Sequence, residues 1–426
     1  MIARLIRFIK DPTSTNIIIN TSGNYLNVAF TAFFALILFR SMTPIEYGVF
    51  SVLIGISYIT SNILEFGTTA TIYSTVPVLF HEDDSRLYTF IKSTFFYQTF
   101  LSIVVIVSLI VSFPILDKMF FKTGAPQWIL TMTACTIILF VWQNFLTNVL
   151  FASKRFFRAN LYHNTSNLIK AIILIVLSVT NNISIATVIM TYGLIGPSVF
   201  FLLVLYKNYE RIEPMKHASV KRDEIKLNYT LTYFAASQFY NVGLRMDLFL
   251  LSFFGLREQV GFYASAQKII LSIIATVVSI SQVLSPQFAA AKTRSEINKL
   301  MKKGFTYMLI PIGIFIALIL TPTAVFNLVF TENFNQAIGI TKILAVPFSL
   351  SAVGTVITLY LLYTVKKPVY ILISNIFFFI ILSGGSYLLI PQYGMYGPPF
   401  AIAGAYIVAI GVQVAGFFKE HKNMIQ

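Results

Sequence analysis

Pro44-Ile45-Glu46-Tyr47-Gly48-Val49-Phe50-Ser51 returns in outline as Arg257-Glu258-Gln259-Val260-Gly261-Phe262-Tyr263-Ala264. The two glycines are 213 residues apart, half of the 426-residue chain. Each string opens a long apolar run, Gly48 to Phe80 and Gln259 to Ala291, with a proline (Pro77, Pro286) near its inner end. Outward from these strings the apolar runs predict spans at 16–39, 48–72, 88–113, 128–152, 160–180 and 184–206. A second set falls at 229–254, 259–286, 303–322, 336–363, 368–390 and 396–418. The longest polar stretch, Lys207–Asn228, lies between the sets and carries charges of both signs. Six spans on each side make both halves enter the membrane in the same direction, so a repeat would be parallel. The expected organisation is a six-helix bundle over 1–206, a cytoplasmic linker over 207–228 and a second six-helix bundle over 229–426.

Composition places the chain in the same class. Hydrophobic residues make up 57% and charged residues 11%, with a mean hydropathy of +0.78. Soluble domains hold about 25% charged and 45–50% apolar residues. A soluble enzyme, a disordered chain and a disulfide scaffold are thereby excluded, the last also because Cys135 is the single cysteine. The formal net charge of +15 points first to membrane topology and anionic lipid, not to nucleic acid. The first apolar run is too long for a secretory signal peptide and lacks its cleavage site. Met1–Lys10 has the pattern of a short interfacial helix, with a frayed basic terminus as the alternative.

Basic residues set the orientation. With a cytoplasmic N-terminus, twenty-three of the 31 Lys and Arg fall on the cytoplasmic side, and Arg40, Lys118, Lys122 and Arg257 on the outer side. The last four, Lys170, Arg245, Lys268 and Lys342, fall inside spans, Lys342 near an outer end. One missed helix would invert every later loop. The expected fold is therefore an all-α integral membrane protein of twelve transmembrane helices. Its two six-helix bundles would be related by a pseudo-two-fold axis along the membrane normal, with N- and C-termini cytoplasmic.

Some chemistry has little material here. No G-x-x-x-x-G-K-[ST] string is present, and the four histidines (His81, His163, His217, His421) are scattered. The outer loops offer four carboxylates, Glu46, Asp117, Glu258 and Glu332, for any acid/base or metal site that a membrane glycosyltransferase or polymerase would need. A transporter without covalent chemistry is the stronger expectation.

Ionisable groups within the spans are the informative residues, since each costs several kcal/mol unless paired or wet. Span seven carries Arg245 and Asp247, span eight Lys268 at similar depth, span five Lys170 and span two Glu65. Arg245, Lys268 and Lys170 are candidate anion-binding residues in a cavity, because a guanidinium can donate two hydrogen bonds at once to a phosphate. Asp247, Asn375 and Glu65 are candidates for coupling to Na⁺ or H⁺. The structural alternative is an Arg245–Asp247–Lys268 group that merely fixes two helices. Carboxamides are frequent too. Asn20, Asn24 and Asn27 share one face of span one, and Gln238 and Asn241 one face of span seven. They either bond helices together or line a path that passes sugar hydroxyls. Cys135 and Trp142 are expected to pack inside span four, and Trp128 to anchor its outer end. Gly196-Pro197, Pro311 and Pro347 are expected hinges or static kinks.

Pro44-x-Glu46-Tyr47-Gly48-Val49-Phe50-Ser51 followed by Glu65-Phe66-Gly67 resembles the first two helices of the polysaccharide-repeat-unit flippases. These belong to the multidrug/oligosaccharidyl-lipid/polysaccharide exporter superfamily. Met246-Asp247-Leu248-Phe249-Leu250-Leu251 with Val260-Gly261-Phe262-Tyr263-Ala264-Ser265-Ala266 is similar to that family's junction of helices seven and eight. Gly394-Met395-Tyr396-Gly397 through Ala401-Ile402-Ala403 looks like its closing motif. The resemblance implies two six-helix bundles and alternating access. It also implies a polyprenyl-pyrophosphate-linked oligosaccharide moved from the inner to the outer leaflet of a bacterial or archaeal plasma membrane. No cofactor is implied beyond a coupling Na⁺ or H⁺. Glycosyltransferases or a polysaccharide polymerase are the implied protein partners. Multidrug exporters of the superfamily commonly carry a first-bundle carboxylate, and span one here has none. Peptidoglycan-precursor flippases carry more first-bundle cations. A cation-coupled multidrug exporter of the same fold is the alternative, with a polytopic glycosyltransferase or polymerase behind it.

Overall fold

The computed structural model describes residues 12–423, apart from 70–71, 73–74, 77–78, 80–83, 154, 208–212, 214, 222–226, 292 and 331. The expected interfacial segment Met1–Lys10 lies outside the described residues, as does half of the 207–228 linker. All regular structure among the described residues is helical, with no strand. The long helices are α1 (Pro12–Ser41), α2 (Pro44–Ile63), α3 (Asp84–Leu116), α4 (Gln127–Ala152), α5 (Phe156–Val179) and α6 (Ile185–Lys207). They continue with α7 (Leu227–Phe253), α8 (Arg257–Ala290), α9 (Arg294–Leu320), α10 (Gln336–Thr364), α11 (Val369–Tyr393) and α12 (Gly397–Asn423). Among the described residues nine stretches are long and apolar enough to cross a membrane, α11 and α12 counted as one. Helices α2 and α7 lie outside those nine. The chain is a multi-pass membrane protein.

Two compact units divide it. The first comprises Met1–Ile37, Ile56–Pro114 and Ala125–Leu231; the second comprises Leu38–Gly55, Ile115–Gly124 and Thr232–Gln426. In the first unit α6 packs on α4 and α5. Gly193 lies in a π-helical turn of α6, Met190–Ile195, where a Cβ would fall on the Thr136 side chain. That turn directly precedes the expected hinge at Gly196-Pro197. In the second unit α11 packs along α12, and α10 packs against α8, α9 and α12 around Phe288, Met308, Val356 and Tyr360. Helices α9 and α10 run on through Pro311 and Pro347.

The sequence misplaced two boundaries and one face. The run from Gly48 is not one helix to Phe80: α2 ends at Ile63, and a turn follows over Leu64–Gly67. Phe66 and Gly67 both have left-handed backbones (φ 44° and 73°), which no α-helix accommodates. Hydrophobic patterning over the whole run does not register that local change, although Glu65 and Gly67 mark the place. Conversely, the basic stretch expected as a loop before residue 303 is the first turns of α9. Thr293 and Glu296 form a reciprocal cap there, Glu296 N donating to Thr293 Oγ1 (3.3 Å) and Thr293 N to Glu296 Oε2 (3.1 Å). Cys135, expected to pack, is exposed, while its neighbours Ala134 and Thr136 are buried. A step of one residue turns a helix by about 100°, enough to leave the core face. Trp142 does pack, its Nε1 donating to Thr99 Oγ1 (3.1 Å) and its ring stacking on Phe201.

The repeated strings meet within the second unit. A Cβ on Gly48 would lie 2.5 Å from the Arg257 carbonyl and 2.8 Å from the Gly261 nitrogen. A Cβ on Gly261 would fall on the Pro44 carbonyl oxygen. The starts of α2 and α8 therefore touch backbone to backbone, as small residues permit between helices in a membrane. Glu46 is spent on the α2 cap, its Oε2 accepting from Thr43 N (2.9 Å) and Thr43 Oγ1 (3.0 Å). Asp117, buried, closes its own loop: Oδ1 accepts from Thr123 N (3.1 Å) and Thr123 Oγ1 (2.6 Å), and Oδ2 from Gly124 N (3.1 Å). Arg257 braces the same loop through Nε to the Lys122 carbonyl (2.7 Å). Two of the four carboxylates expected in outer loops are thus spent locally, Glu46 on a helix cap and Asp117 on its own loop.

Candidate substrate site

In the second unit, α7 carries Gln238, Asn241 and Arg245 at i, i+3 and i+7, so they share one face, and all three are half-buried. Asp247 points elsewhere and is fully buried. Its Oδ2 accepts from the Tyr263 hydroxyl (2.7 Å) and Gln267 Nε2 (3.0 Å), and its Oδ1 from Leu248 N (2.7 Å). Gln267 is saturated: its amide also donates to the Leu244 carbonyl (3.3 Å), and its Oε1 accepts from Arg245 Nη1 (3.4 Å). The carboxamide is thereby fixed in one orientation and links the Asp247 carboxylate to the guanidinium. Lys268, the next residue on α8, is half-buried and within electrostatic range of Arg245. The structure brings Arg245, Asp247 and Lys268 into one neighbourhood. The sequence did not single out Tyr263 or Gln267 as partners of Asp247: Tyr263 entered only within the repeated string, and Gln267 only as one of many carboxamides in the spans.

Asp247→Ala would leave the Tyr263 hydroxyl and one Gln267 N–H unpaired in the interior. Each such group costs about 1–3 kcal/mol. The melting temperature of the purified protein is expected to fall well below that of Asp247→Asn, which keeps an acceptor for Tyr263. Equal melting temperatures would remove the structural role.

Asn375 lines a separate cavity of the second unit, of about 380 Å³, together with Tyr240, Ser281, Ser351, Thr355 and Gln413. Gln413 Oε1 accepts from Thr358 Oγ1 (3.0 Å), and Gln413 Nε2 donates to Ser374 Oγ (3.0 Å). Hydroxyls and carboxamides on an apolar wall can engage uncharged polyols without holding them tightly. Asp247 is not among the lining residues, so its partnership with Asn375 in holding a cation gains no geometric support here.

In the first unit, Lys170 sits among aromatic rings. Its Nζ is 5.4 Å from the Phe34 ring centroid and 5.6 Å from that of Tyr192, and the two rings meet edge to face. Its stem covers Gly196, where a Cβ would lie 2.6 Å from Cδ. No sequence pattern announces Phe34 or Tyr192, which come from distant turns. Asn27 accepts from Asn167 Nδ2 (2.7 Å), and Asn164 Nδ2 donates to the Gly23 carbonyl (3.4 Å). The carboxamide face of α1 is thus partly used in bonding α5, while Asn24 is half-buried beside it. Glu65 lies in the turn after α2, its Oε2 accepting from Thr69 Oγ1 (2.9 Å), which accepts in turn from Asn148 Nδ2 (2.7 Å). His163 is structural. Thr147 Oγ1 donates to the Gln143 carbonyl, so it accepts from His163 Nε2 (3.2 Å), leaving Nδ1 to accept from Gln143 Nε2 (3.4 Å). Among the described residues no group of three His, Cys, Asp or Glu is placed to hold a metal.

A match to the family described as polysaccharide biosynthesis protein extends over residues 14–292, well over half of the chain. The chain belongs to that family. No curated protein matches it significantly. Among solved structures, it resembles the lipid II flippase MurJ in an inward closed conformation. The TM-score is 0.74 at 13% identity, covering 96% of this chain and 90% of that one. It also resembles an inward-facing multidrug resistance MATE family transporter of the MOP superfamily, with TM-score 0.73 at 15% identity, covering 96% and 98%. A third likeness is to a MOP superfamily transporter from Pyrococcus furiosus, with TM-score 0.60 at 14% identity, covering 96% and 94%. At these identities the likeness is one of fold. The superfamily resemblance carried by the Gly48 and Gly261 strings therefore holds at the level of family and fold. The fold is shared by a lipid II flippase and by a multidrug resistance transporter alike.

Proposed function

We propose that this family member is a flippase that moves a polyprenyl-pyrophosphate-linked oligosaccharide from the inner to the outer leaflet by alternating access, without covalent chemistry. The observation that carries the reading is Arg245 and Lys268, two half-buried cations within electrostatic range of each other on α7 and α8. Like charges in an apolar bundle repel, and a pyrophosphate relieves that repulsion while offering acceptors for the guanidinium fork. Lys170, Asn24, Asn27, Gln238 and Asn241 would contribute to the path, and the hydroxyl-lined cavity beside Asn375 suits a glycan. The topology proposed with it has twelve crossings in two six-helix bundles, 1–206 and 229–426, joined by a linker over 207–228. The bundles are related by a pseudo-two-fold axis along the membrane normal, and both termini are cytoplasmic. It is supported by a long helix at each expected span and by the placement of the basic residues. The membrane would be a bacterial or archaeal plasma membrane, with glycosyltransferases or a polymerase as partners. Asp247, Asn375 or Glu65 would couple transport to Na⁺ or H⁺.

Deleting the gene should make lipid-linked oligosaccharide accumulate on the cytoplasmic leaflet, read by enzymatic accessibility in sealed, oriented vesicles. Unchanged sidedness together with lost efflux of lipophilic cations would replace the flippase by a drug exporter. An Arg245–Lys268 pair is poorly suited to that cargo, because it repels cations.

A further inference from the structure

We infer that the first unit carries a binding site for an anionic phospholipid of the surrounding bilayer, separate from the transport residues. A cavity of about 660 Å³ lies among α3, α4, α6 and the segment after α6. Its deep part is apolar, walled by Phe95, Phe145, Leu146, Val149 and Phe201. Its other end carries Lys92, Arg155 and Lys216, and no carboxylate is among the described residues that line it. The gradient follows from chain direction. Arg155 follows the end of α4 and Lys92 lies in the first third of α3, so the cations gather toward the end of the cavity where α3 begins, beside Leu87, Tyr88 and Ile91, while Phe95, Phe145 and Leu146 lie further along those helices.

That segregation is the shape of a phospholipid: two chains against aromatic and aliphatic walls, a phosphate among cations. The cationic end is also built. Lys92 Nζ donates to the carbonyls of Lys216 (2.7 Å) and Ala218 (2.8 Å), and Lys221 N donates to Ser93 Oγ (2.8 Å). These bonds strap residues 216–221 onto α3 and hold Lys216 at the mouth. They use two of the three Lys92 donors, leaving one to point at a headgroup. A zwitterionic lipid brings its own cation and gains little from three basic side chains. An anionic one gains a factor of about five for each of them. Helix α3 begins at a bilayer interface in the proposed topology, but the site itself rests on the cavity and its charges and not on the identity of the transported substrate.

The test compares purified full-length protein in nanodiscs of phosphatidylcholine with graded phosphatidylglycerol, reading retained lipid by native mass spectrometry and stability by thermal melting. The wild type is expected to retain phosphatidylglycerol in preference to phosphatidylcholine and to melt higher as its fraction rises. In the double variant Arg155→Glu, Lys216→Glu, that preference is expected to fall at least fivefold. Leu146→Trp, which fills the apolar part and keeps the cations, should lower retention of both lipids and remains informative if the charge variant fails to fold. Equal retention of both lipids by the wild type, or an unchanged preference in the charge variant, would overturn the site. Displacement of phosphatidylglycerol by an equal mole fraction of polyprenyl phosphate would overturn the assignment to bulk lipid and give the cavity to a carrier.

Discussion

Gly261→Ala should collapse the amount of folded protein recovered from membranes and strongly lower the melting temperature of what remains. The added methyl would fall on the Pro44 carbonyl oxygen, and neither partner is a flexible side chain that can swing away. A Cβ on the facing residue, Gly48, would also lie only 2.5 Å from the Arg257 carbonyl and 2.8 Å from the Gly261 nitrogen, so the two helices have little room to slide apart. Overpacking a well-filled interior costs about 1–3 kcal/mol when side chains can adjust, and a backbone-to-backbone clash lies at or beyond the top of that range. Gly411→Ala on α12 is the matched control. Nothing lies within 4 Å of its added methyl, and alanine is the better helix former by about 1 kcal/mol, so its stability should hold or rise. Comparable melting curves for the two variants would show that the Gly48–Gly261 contact is not a constraint.

Arg245→Ala should abolish substrate translocation in proteoliposomes while membrane levels stay normal. The loss expected for one charge-assisted contact to phosphate is about 1.5–3 kcal/mol, or roughly tenfold to a hundredfold in apparent affinity. Arg245→Lys should retain part of the activity, because it keeps the charge and loses the planar fork. A folding role is separated by the same melting measurement. The buried bonds of Asp247 to Tyr263 and Leu248 do not pass through the guanidinium, so Arg245→Ala should melt much closer to wild type than Asp247→Ala. Full transport by Arg245→Ala would end its assignment to the substrate path.

The candidate site was legible in the sequence only as far as residue type and depth allowed. Arg245, Asp247 and Lys268 stand out because charge within an apolar run is costly and therefore conspicuous. Their division of labour was not legible. Two residues apart on α7, Arg245 and Asp247 point to different neighbours, and only the position of α8 makes one a half-buried cation and the other a fully buried acceptor. Asn27 shows the same limit, since its face was visible and its partner Asn167, 140 residues away, was not.

By itself the sequence determined that this is a helical, multi-pass membrane protein of the polysaccharide biosynthesis family. Run length suffices for the helical membrane class, because the bilayer admits few alternatives to an apolar helix, and the motif resemblance pointed to the family. Only the tertiary structure decided what the recurring glycines do. As a pattern, Gly48 and Gly261 led to the expectation of a repeat; folded, they are one contact, where the absence of two side chains lets α2 and α8 touch. The same holds for the break at Phe66-Gly67, where the backbone turns left-handed within a run read as one span. Hydrophobic patterning reports which solvent a segment prefers. Close approach and backbone conformation are set by the partner it meets.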